Sequence, residues 1–120
     1  MPASFPSTID TSSKQYLKTV RIEGIDIQLY DRGSGEPLLL LHGMFGDCFD
    51  WEPVLEPLSR GYRVNAVDLP GFGGSGKPDV ECTGEFFVRH IDALLHQLGV
   101  NKVTIVGNSL GGILDRKSVV

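Results

Sequence analysis

Gly107-Asn108-Ser109-Leu110-Gly111 decides the fold, because it sets a serine between two glycines directly after a strand-like run. A G-x-S-x-G pattern is weak alone and gains meaning at a sharp strand-to-helix turn, where small residues must flank the serine. The run from Lys102 to Val106 predicts that strand, and Leu110 to Leu114 predicts the first turn of a helix. We interpret Ser109 as a nucleophile on this elbow; a loop serine beside turn glycines is the alternative.

Upstream of the elbow, the hydrophobic pattern predicts an α/β sheet with an antiparallel edge. Apolar and polar residues alternate from Val20 to Leu29 around Gly24, which predicts two antiparallel strands. The apolar runs at Pro37 to Leu41 and Val64 to Leu69 are typical of strands buried on both faces, as in a parallel sheet. Lys102 to Val106 is predicted as the next buried strand.

Two helices are predicted between these strands. Asp50 can cap a short helix that runs to about Arg60, which Pro57 should shorten or bend. A stronger helix begins at Thr83 or Gly84 and stops at Gly99. Its apolar residues recur at three-to-four spacing: Phe87, Ile91, Leu94, Leu95 and Leu98.

Composition narrows the functional class. The chain has 120 residues, enough for one domain, and a net charge of -4. Without a basic surface we expect no nucleic-acid or membrane partner, and a small-molecule substrate fits better.

Cys48 and Cys82 lack metal-ligand spacing and are interpreted as reduced thiols. With no export or membrane signal we expect a cytoplasmic protein without metal or cofactor, and the oligomeric state stays open.

Gly71 to Gly76 also fits a dinucleotide-binding pattern and, extended to Lys77, most of a P-loop. A phosphate site of either kind needs a helix that opens at the loop. Here Pro78 stands where a P-loop requires Ser or Thr, and proline offers no hydroxyl and no N–H. We interpret this stretch as a plain loop.

Three motifs in order give a family resemblance: Leu41 to Gly46, Asp68 to Ser75, and Val106 to Gly112. Together they resemble the α/β-hydrolase superfamily, in its serine-nucleophile branch. The resemblance implies the N-terminal part of that fold over residues 19–114, truncated after the nucleophile elbow. Residues 1–18 are predicted to be a flexible leader. Asp115 to Val120 breaks the apolar pattern expected of a helix and is predicted to be a non-native tail.

The resemblance also implies site roles. Ser109 is similar to the family nucleophile, and the backbone N–H groups of Met44 and Leu110 match its oxyanion hole. The structural supports implied are His42, Gly43, Gly107 and Gly111. Ser rather than Asp at position 109 argues against the haloalkane dehalogenase and epoxide hydrolase branches, and Asn108 is similar to carbon-carbon bond hydrolases.

The family's catalytic histidine and acid follow the nucleophile, and no histidine follows Ser109 in this chain. His90 and His96 are interpreted as surface or boundary residues of the amphipathic helix. We expect the parent protein to hydrolyse an ester, lactone, amide or activated carbon-carbon bond, and the fragment to be inactive. A non-catalytic, receptor-like member of the superfamily is the alternative.

Overall fold

The computed structural model describes residues 11–108. The elements follow in the order α1 (Thr11–Lys14), β1 (Leu17–Ile22), β2 (Ile25–Arg32), β3 (Glu36–Leu41), a 3-10 turn (Cys48–Trp51), α2 (Glu52–Ser59), β4 (Tyr62–Val67), α3 (Gly84–Gln97) and β5 (Thr104–Gly107).

The five strands form one mixed sheet in the order β1-β2-β4-β3-β5. β1 and β2 pair antiparallel around a turn in which Glu23 and Gly24 both have positive φ, 50° and 83°, as a type I′ hairpin requires. β2 also pairs antiparallel with β4, whereas β3 lies parallel to β4 and to β5. The predicted parallel sheet with an antiparallel edge is confirmed.

The apolar run in β3 packs on both faces of the sheet. Leu39 and Leu41 belong to a core beneath α3, while Leu38 and Leu40 belong to a second core beneath α2. Successive side chains of a strand point to opposite faces, so a strand covered on both sides must be apolar throughout. This explains why the run lacks the alternation of β2.

The limits of α3 were predicted correctly. The Thr83 side chain accepts a hydrogen bond from the Phe86 N–H at 3.1 Å, which caps the first turn. At the other end Gly99 has φ +73°, and the Val100 N–H donates to the Leu95 carbonyl at 2.9 Å. This six-to-one bond closes the helix in a Schellman motif.

The helix before β4 differs from the prediction. Asp47, rather than Asp50, provides the cap, because its carboxylate accepts from the Phe49 N–H at 2.9 Å. That cap begins the 3-10 turn, and α2 follows it for only eight residues with Pro57 inside. A proline forfeits one helical hydrogen bond, which a short surface helix tolerates.

Regular structure also begins earlier than predicted. The flexible leader over residues 1–18 is wrong for its last part, since a short helix starts at Thr11 and β1 starts at Leu17. The physical reason is packing against a later strand: the Tyr16 and Tyr30 rings lie 5.6 Å apart, and the Asp31 N–H donates to the Tyr16 carbonyl at 3.0 Å. Residues 1–10 and 115–120 lie outside the described residues, so the rest of this domain division stays a prediction.

β5 is less buried than predicted. It runs from Thr104 to Gly107, and within the described residues it pairs only with β3. Its residues therefore alternate between exposed and half-buried, and Val106 is 41% exposed. An apolar run alone could not distinguish a central strand from the edge strand of the described sheet.

Candidate active site

The three parallel strands end at one edge of the sheet, where their following loops meet. β3 ends at Leu41, β4 at Val67 and β5 at Gly107, and the Leu41 and Gly107 Cα atoms are partners in the ladder. Open α/β sheets bind ligands at this carboxyl edge. The candidate site is therefore built from residues 42–47 and 68–76 and from the elbow that begins at Gly107.

β5 ends at the residue where the predicted elbow would begin. Gly107 ends β5, and the Asn108 N–H donates to the Leu41 carbonyl at 3.1 Å, so the ladder continues one residue past the strand. Ser109, Leu110 and Gly111 lie outside the described residues, and their roles stay predictions. The register nevertheless brings the start of the elbow beside the segment that follows β3.

His42 and Gly43 form a buried turn after β3. The Leu69 N–H donates to His42 Nε2 at 2.9 Å, so Nε2 carries no hydrogen and the proton sits on Nδ1. Nδ1 then donates to the Gly43 carbonyl at 2.7 Å. Both ring nitrogens are engaged in holding two loops together, which suits a structural residue and leaves no lone pair for a serine.

Beyond that turn the backbone exposes an unpaired donor. The Gly46 N–H donates to the Gly43 carbonyl at 3.0 Å, and Phe45 between them has φ +64°, in the left-handed region that favours glycine. The Met44 N–H has no acceptor among residues 11–108. A free N–H on a constrained turn at the carboxyl edge is what an oxyanion hole requires.

Asp68 joins the loops of the site from beneath. Its carboxylate, 1% exposed, accepts from the Cys48 N–H at 2.6 Å, the Gly74 N–H at 2.8 Å and Gln28 Nε2 at 2.9 Å. Asp68 belongs to one of the three family motifs, but no role was predicted for it from the sequence. Its position could have indicated a role, because a carboxylate directly follows a buried strand there and precedes Pro70-Gly71.

The glycine-rich loop folds onto this carboxylate. A side chain at Gly73 would lie 2.5 Å from Asp68 Oδ2, and the buried Ser75 hydroxyl donates to the Asp68 carbonyl at 2.6 Å. The Gly71 N–H is already used by the Gly76 carbonyl at 2.9 Å, and the next helix begins only at Gly84. The loop thus lacks the helix N-terminus that a phosphate site needs, as the sequence predicted.

Cys48 lies in the same cluster and is completely buried. Its pKa is raised well above the ordinary thiol value, first by burial and then by the charge of Asp68. Thiolate chemistry is therefore suppressed at this position. Cys82, by contrast, is exposed and free.

The prediction for His90 was wrong, because this residue is 4% exposed and stacks on Phe86 at a centroid distance of 4.4 Å. Position 90 lies three residues after Phe87 and four before Leu94, on the apolar face of α3. The helical spacing therefore predicts that His90 is buried, whereas the polarity of a histidine side chain suggests an exposed position. His96 is exposed near the end of α3, as expected for a surface residue.

Replacing His90 by leucine should stabilise the chain, since neither ring nitrogen has a partner in the described structure. We expect the free energy of unfolding to rise by about 1 kcal/mol near neutral pH. Burial also lowers the His90 pKa below its usual value of 6.5. The unfolded chain therefore binds the proton more readily, so stability falls as pH drops through about 6.5.

Urea unfolding across this pH range checks both effects. The His90→Leu variant should lose part of the acid sensitivity of the parent chain. His96→Leu is the matched control on the same helix, and it should change stability by less than about 0.5 kcal/mol. Equal pH profiles for His90→Leu and the parent chain would contradict the assignment.

Within residues 11–108, no group of three or more His, Cys, Asp or Glu side chains could hold a metal ion. The helices of that part of the chain are also too short or too polar to cross a membrane.

The sheet with helices on both faces and a loop cluster at its carboxyl edge defines an α/β protein with its site at that edge. The chain belongs to the α/β-hydrolase family, since the family model for the alpha/beta hydrolase fold matches residues 36–114.

Similar proteins catalyse several hydrolytic reactions. The chain is 37% identical over 97 residues to a 2-hydroxy-6-oxo-6-(2'-aminophenyl)hexa-2,4-dienoic acid hydrolase of Metapseudomonas resinovorans, covering 78% of this chain and 33% of the relative. It is 38% identical over 88 residues to a haloalkane dehalogenase of Agrobacterium fabrum, covering 73% and 29%. A solved epoxide hydrolase of Vigna radiata superposes with a TM-score of 0.79 at 34% identity, covering 84% and 33%. The chain thus spans about a third of the length of these proteins.

Proposed function

We propose that these residues form the N-terminal part of a serine hydrolase that cleaves an ester, lactone, amide or activated carbon-carbon bond. The observation that carries the proposal is the G-N-S-L-G sequence that follows β5. Its first residue, Gly107, is the ladder partner of Leu41, where the strand that leads into the His42-Gly43 turn ends. Membership of the α/β-hydrolase family supports a hydrolytic reaction.

In the proposed mechanism, the Ser109 hydroxyl attacks the substrate carbonyl and loses its proton to a general base. Negative charge then develops on the carbonyl oxygen. The N–H groups of Met44 and Leu110 stabilise it; the Met44 N–H has no acceptor in the described part of the chain, which supports this role. Gly107 and Gly111 leave room for the sharp backbone turn at the serine.

None of the three histidines is placed to act as that base. His42 Nε2 accepts the Leu69 N–H, His90 is buried on α3, and His96 lies near the end of α3. That end lies at the opposite edge of the sheet, where Arg63 at the start of β4 reaches the Leu98 carbonyl at 3.5 Å. We propose that base and acid come from additional sequence and that the 120 residues alone do not turn over substrate.

Residues 108 and 109 support a choice among the reactions of the family. Serine in place of aspartate separates this chain from the dehalogenase and epoxide hydrolase reactions named for some relatives. Asn108 favours the carbon-carbon hydrolases. The relatives include a 2-hydroxy-6-oxo-2,4-heptadienoate hydrolase of Pseudomonas putida at 38% identity, which supports this choice. We propose this reaction class first and ester hydrolysis second.

Labelling with a fluorophosphonate tests the nucleophile. The full-length protein should be labelled at Ser109, and the 120-residue chain should be labelled far more slowly because it lacks the base. Peptide mapping locates the adduct. A folded full-length protein that binds small carbonyl compounds without being labelled would instead support the receptor-like alternative and contradict the hydrolase.

A further inference from the structure

A cleft of about 580 Å³ lies between the hairpin of β1 and β2, the loop that follows Gly76, and the first half of α3. Of its described lining residues, Gly76 alone also belongs to the candidate active site. The volume of the cleft lies within the range of small-molecule sites. We call it the hairpin cleft.

The hairpin cleft lies away from the sequence that follows the elbow. β1 and β5 form opposite edges of the described sheet, four strand spacings or about 19 Å apart. The cleft lies at the β1 edge, whereas the chain leaves the sheet after Gly107 at the β5 edge. Measurements on the full-length protein therefore test the cleft with its complete surroundings in place.

One wall of the cleft holds a buried polar group without a partner. His90 lines the cleft and is 4% exposed, and neither ring nitrogen has a hydrogen-bond partner in the described structure. Native proteins pair nearly all buried polar side chains, so an orphaned one requires an explanation. Because leucine should be more stable at this position, folding does not explain the histidine, and binding does.

An exposed ion pair lies at the rim of the cleft. The Glu23 carboxylate accepts from Arg89 Nε at 3.1 Å, and both side chains line the cleft. The Arg89 guanidinium lies 5.7 Å from the centre of the Phe86 ring, on which His90 packs. Neither nitrogen of His90 meets solvent, so a ligand has to displace this pair to reach them. The displacement costs little, because an exposed pair contributes less than about 1 kcal/mol.

The cleft also presents one free charge of each sign. Its two arginines are already paired with acids that line it too. Lys77 and Asp79 line the cleft as well, and neither side chain has an ion pair or hydrogen bond within residues 11–108. A simple anion would meet Asp79 and a simple cation would meet Lys77, whereas a zwitterion is attracted by both.

We propose that the hairpin cleft binds an α-amino acid with an amide side chain. Lys77 binds the carboxylate, Asp79 binds the ammonium group, and the side-chain amide provides the hydrogen bonds that His90 lacks. A neutral imidazole offers one donor and one acceptor, and a primary amide offers both in return. The site goes beyond the hydrolytic reaction and does not depend on it.

Calorimetric titration of the full-length protein near neutral pH tests the proposal with matched ligands. L-Glutamine is the probe, and it should bind saturably. 4-Carbamoylbutanoate lacks its ammonium group, 4-aminobutanamide lacks its carboxylate, and L-norleucine lacks its amide. Each of these should bind at least about fivefold more weakly than L-glutamine, because each leaves one group of the cleft without a partner.

Three substitutions assign the contacts, and each should abolish one preference while keeping the other two. Asp79→Ala should bind L-glutamine and 4-carbamoylbutanoate equally. Lys77→Ala should bind L-glutamine and 4-aminobutanamide equally, and His90→Leu should do so for L-glutamine and L-norleucine. All three variants should fold, since Lys77 and Asp79 are exposed and leucine at position 90 should be stabilising.

Exposed residues outside the cleft provide the matched controls, namely Asp92→Ala, Lys102→Ala and His96→Leu. Each control should keep all three preferences. Absence of saturable L-glutamine binding, equal affinity for the four ligands, or preferences that survive the three substitutions in the cleft would overturn the proposal.

The outcomes separate this site from the proposed function. Binding of L-glutamine without fluorophosphonate labelling would reject the nucleophile and keep the hairpin cleft. Labelling of Ser109 without binding of L-glutamine would keep the hydrolase and reject the hairpin cleft.

Discussion

Replacing Ser109 by alanine in the full-length protein is expected to lower kcat by about a millionfold. The expected loss is large because the serine forms the covalent bond in the proposed mechanism, so no neighbouring group can substitute for it. Any remaining rate would come from substrate binding and the oxyanion N–H groups. Initial rates on an activated aryl ester, divided by the concentration of folded protein, measure the effect.

Ser34→Ala is the matched control for this substitution. Ser34 is exposed in the loop between β2 and β3, at the edge of the sheet opposite the site. Its replacement should leave kcat within about twofold of the parent, since it contacts none of the reacting groups. If Ser109→Ala kept more than about a hundredth of the parent rate, the serine would not be the nucleophile.

Replacing Asp68 by alanine is expected to lower the free energy of unfolding by about 3 kcal/mol. The substitution removes one buried acceptor and leaves three donors without a partner: the N–H groups of Cys48 and Gly74, and Gln28 Nε2. Each orphaned donor has given up water without regaining a hydrogen bond. Urea unfolding of the 120-residue chain measures the loss.

The Asp68→Asn variant keeps the shape of the side chain and changes its hydrogen bonding, so it distinguishes the two contributions to stability. Its amide oxygen can still accept from the Cys48 N–H, but its NH₂ group would face the other two donors, so most of the loss should remain. Asp26→Ala is the control, because its ion pair with Arg21 is exposed and contributes less than about 1 kcal/mol. A loss for Asp68→Ala no larger than that for Asp26→Ala would contradict the structural role.

Much of the architecture was readable before the structure was known. The apolar run in β3 predicted a strand covered on both faces, and Thr83 and Gly99 predicted both limits of α3. These predictions were possible because the alternation of side chains along a strand and the caps of a helix depend only on residues a few positions apart. The interpretation of the glycine-rich loop as a plain loop rested on Pro78 and stays a prediction; the structure adds that the next helix begins only at Gly84.

The errors share a different origin. Asp47 rather than Asp50 caps the turn before α2, and the path of the backbone decides which of the two carboxylates meets a free N–H group. His90 was misplaced because residue polarity was given more weight than helical position. Residues near Thr11 were taken as a leader because the contact between Tyr16 and Tyr30 joins distant positions.

Local chemistry was sufficient to determine the order of strands and helices, the elbow motif around Ser109, and the membership that these motifs implied. The hydrogen bonds that hold the loops of the site together were known only from the tertiary structure. Asp68 joins Gln28, Cys48 and Gly74, and His42 joins Gly43 to Leu69. Most of these bonds link residues far apart in the chain, and the partner of a buried polar group follows from which loops the sheet brings together.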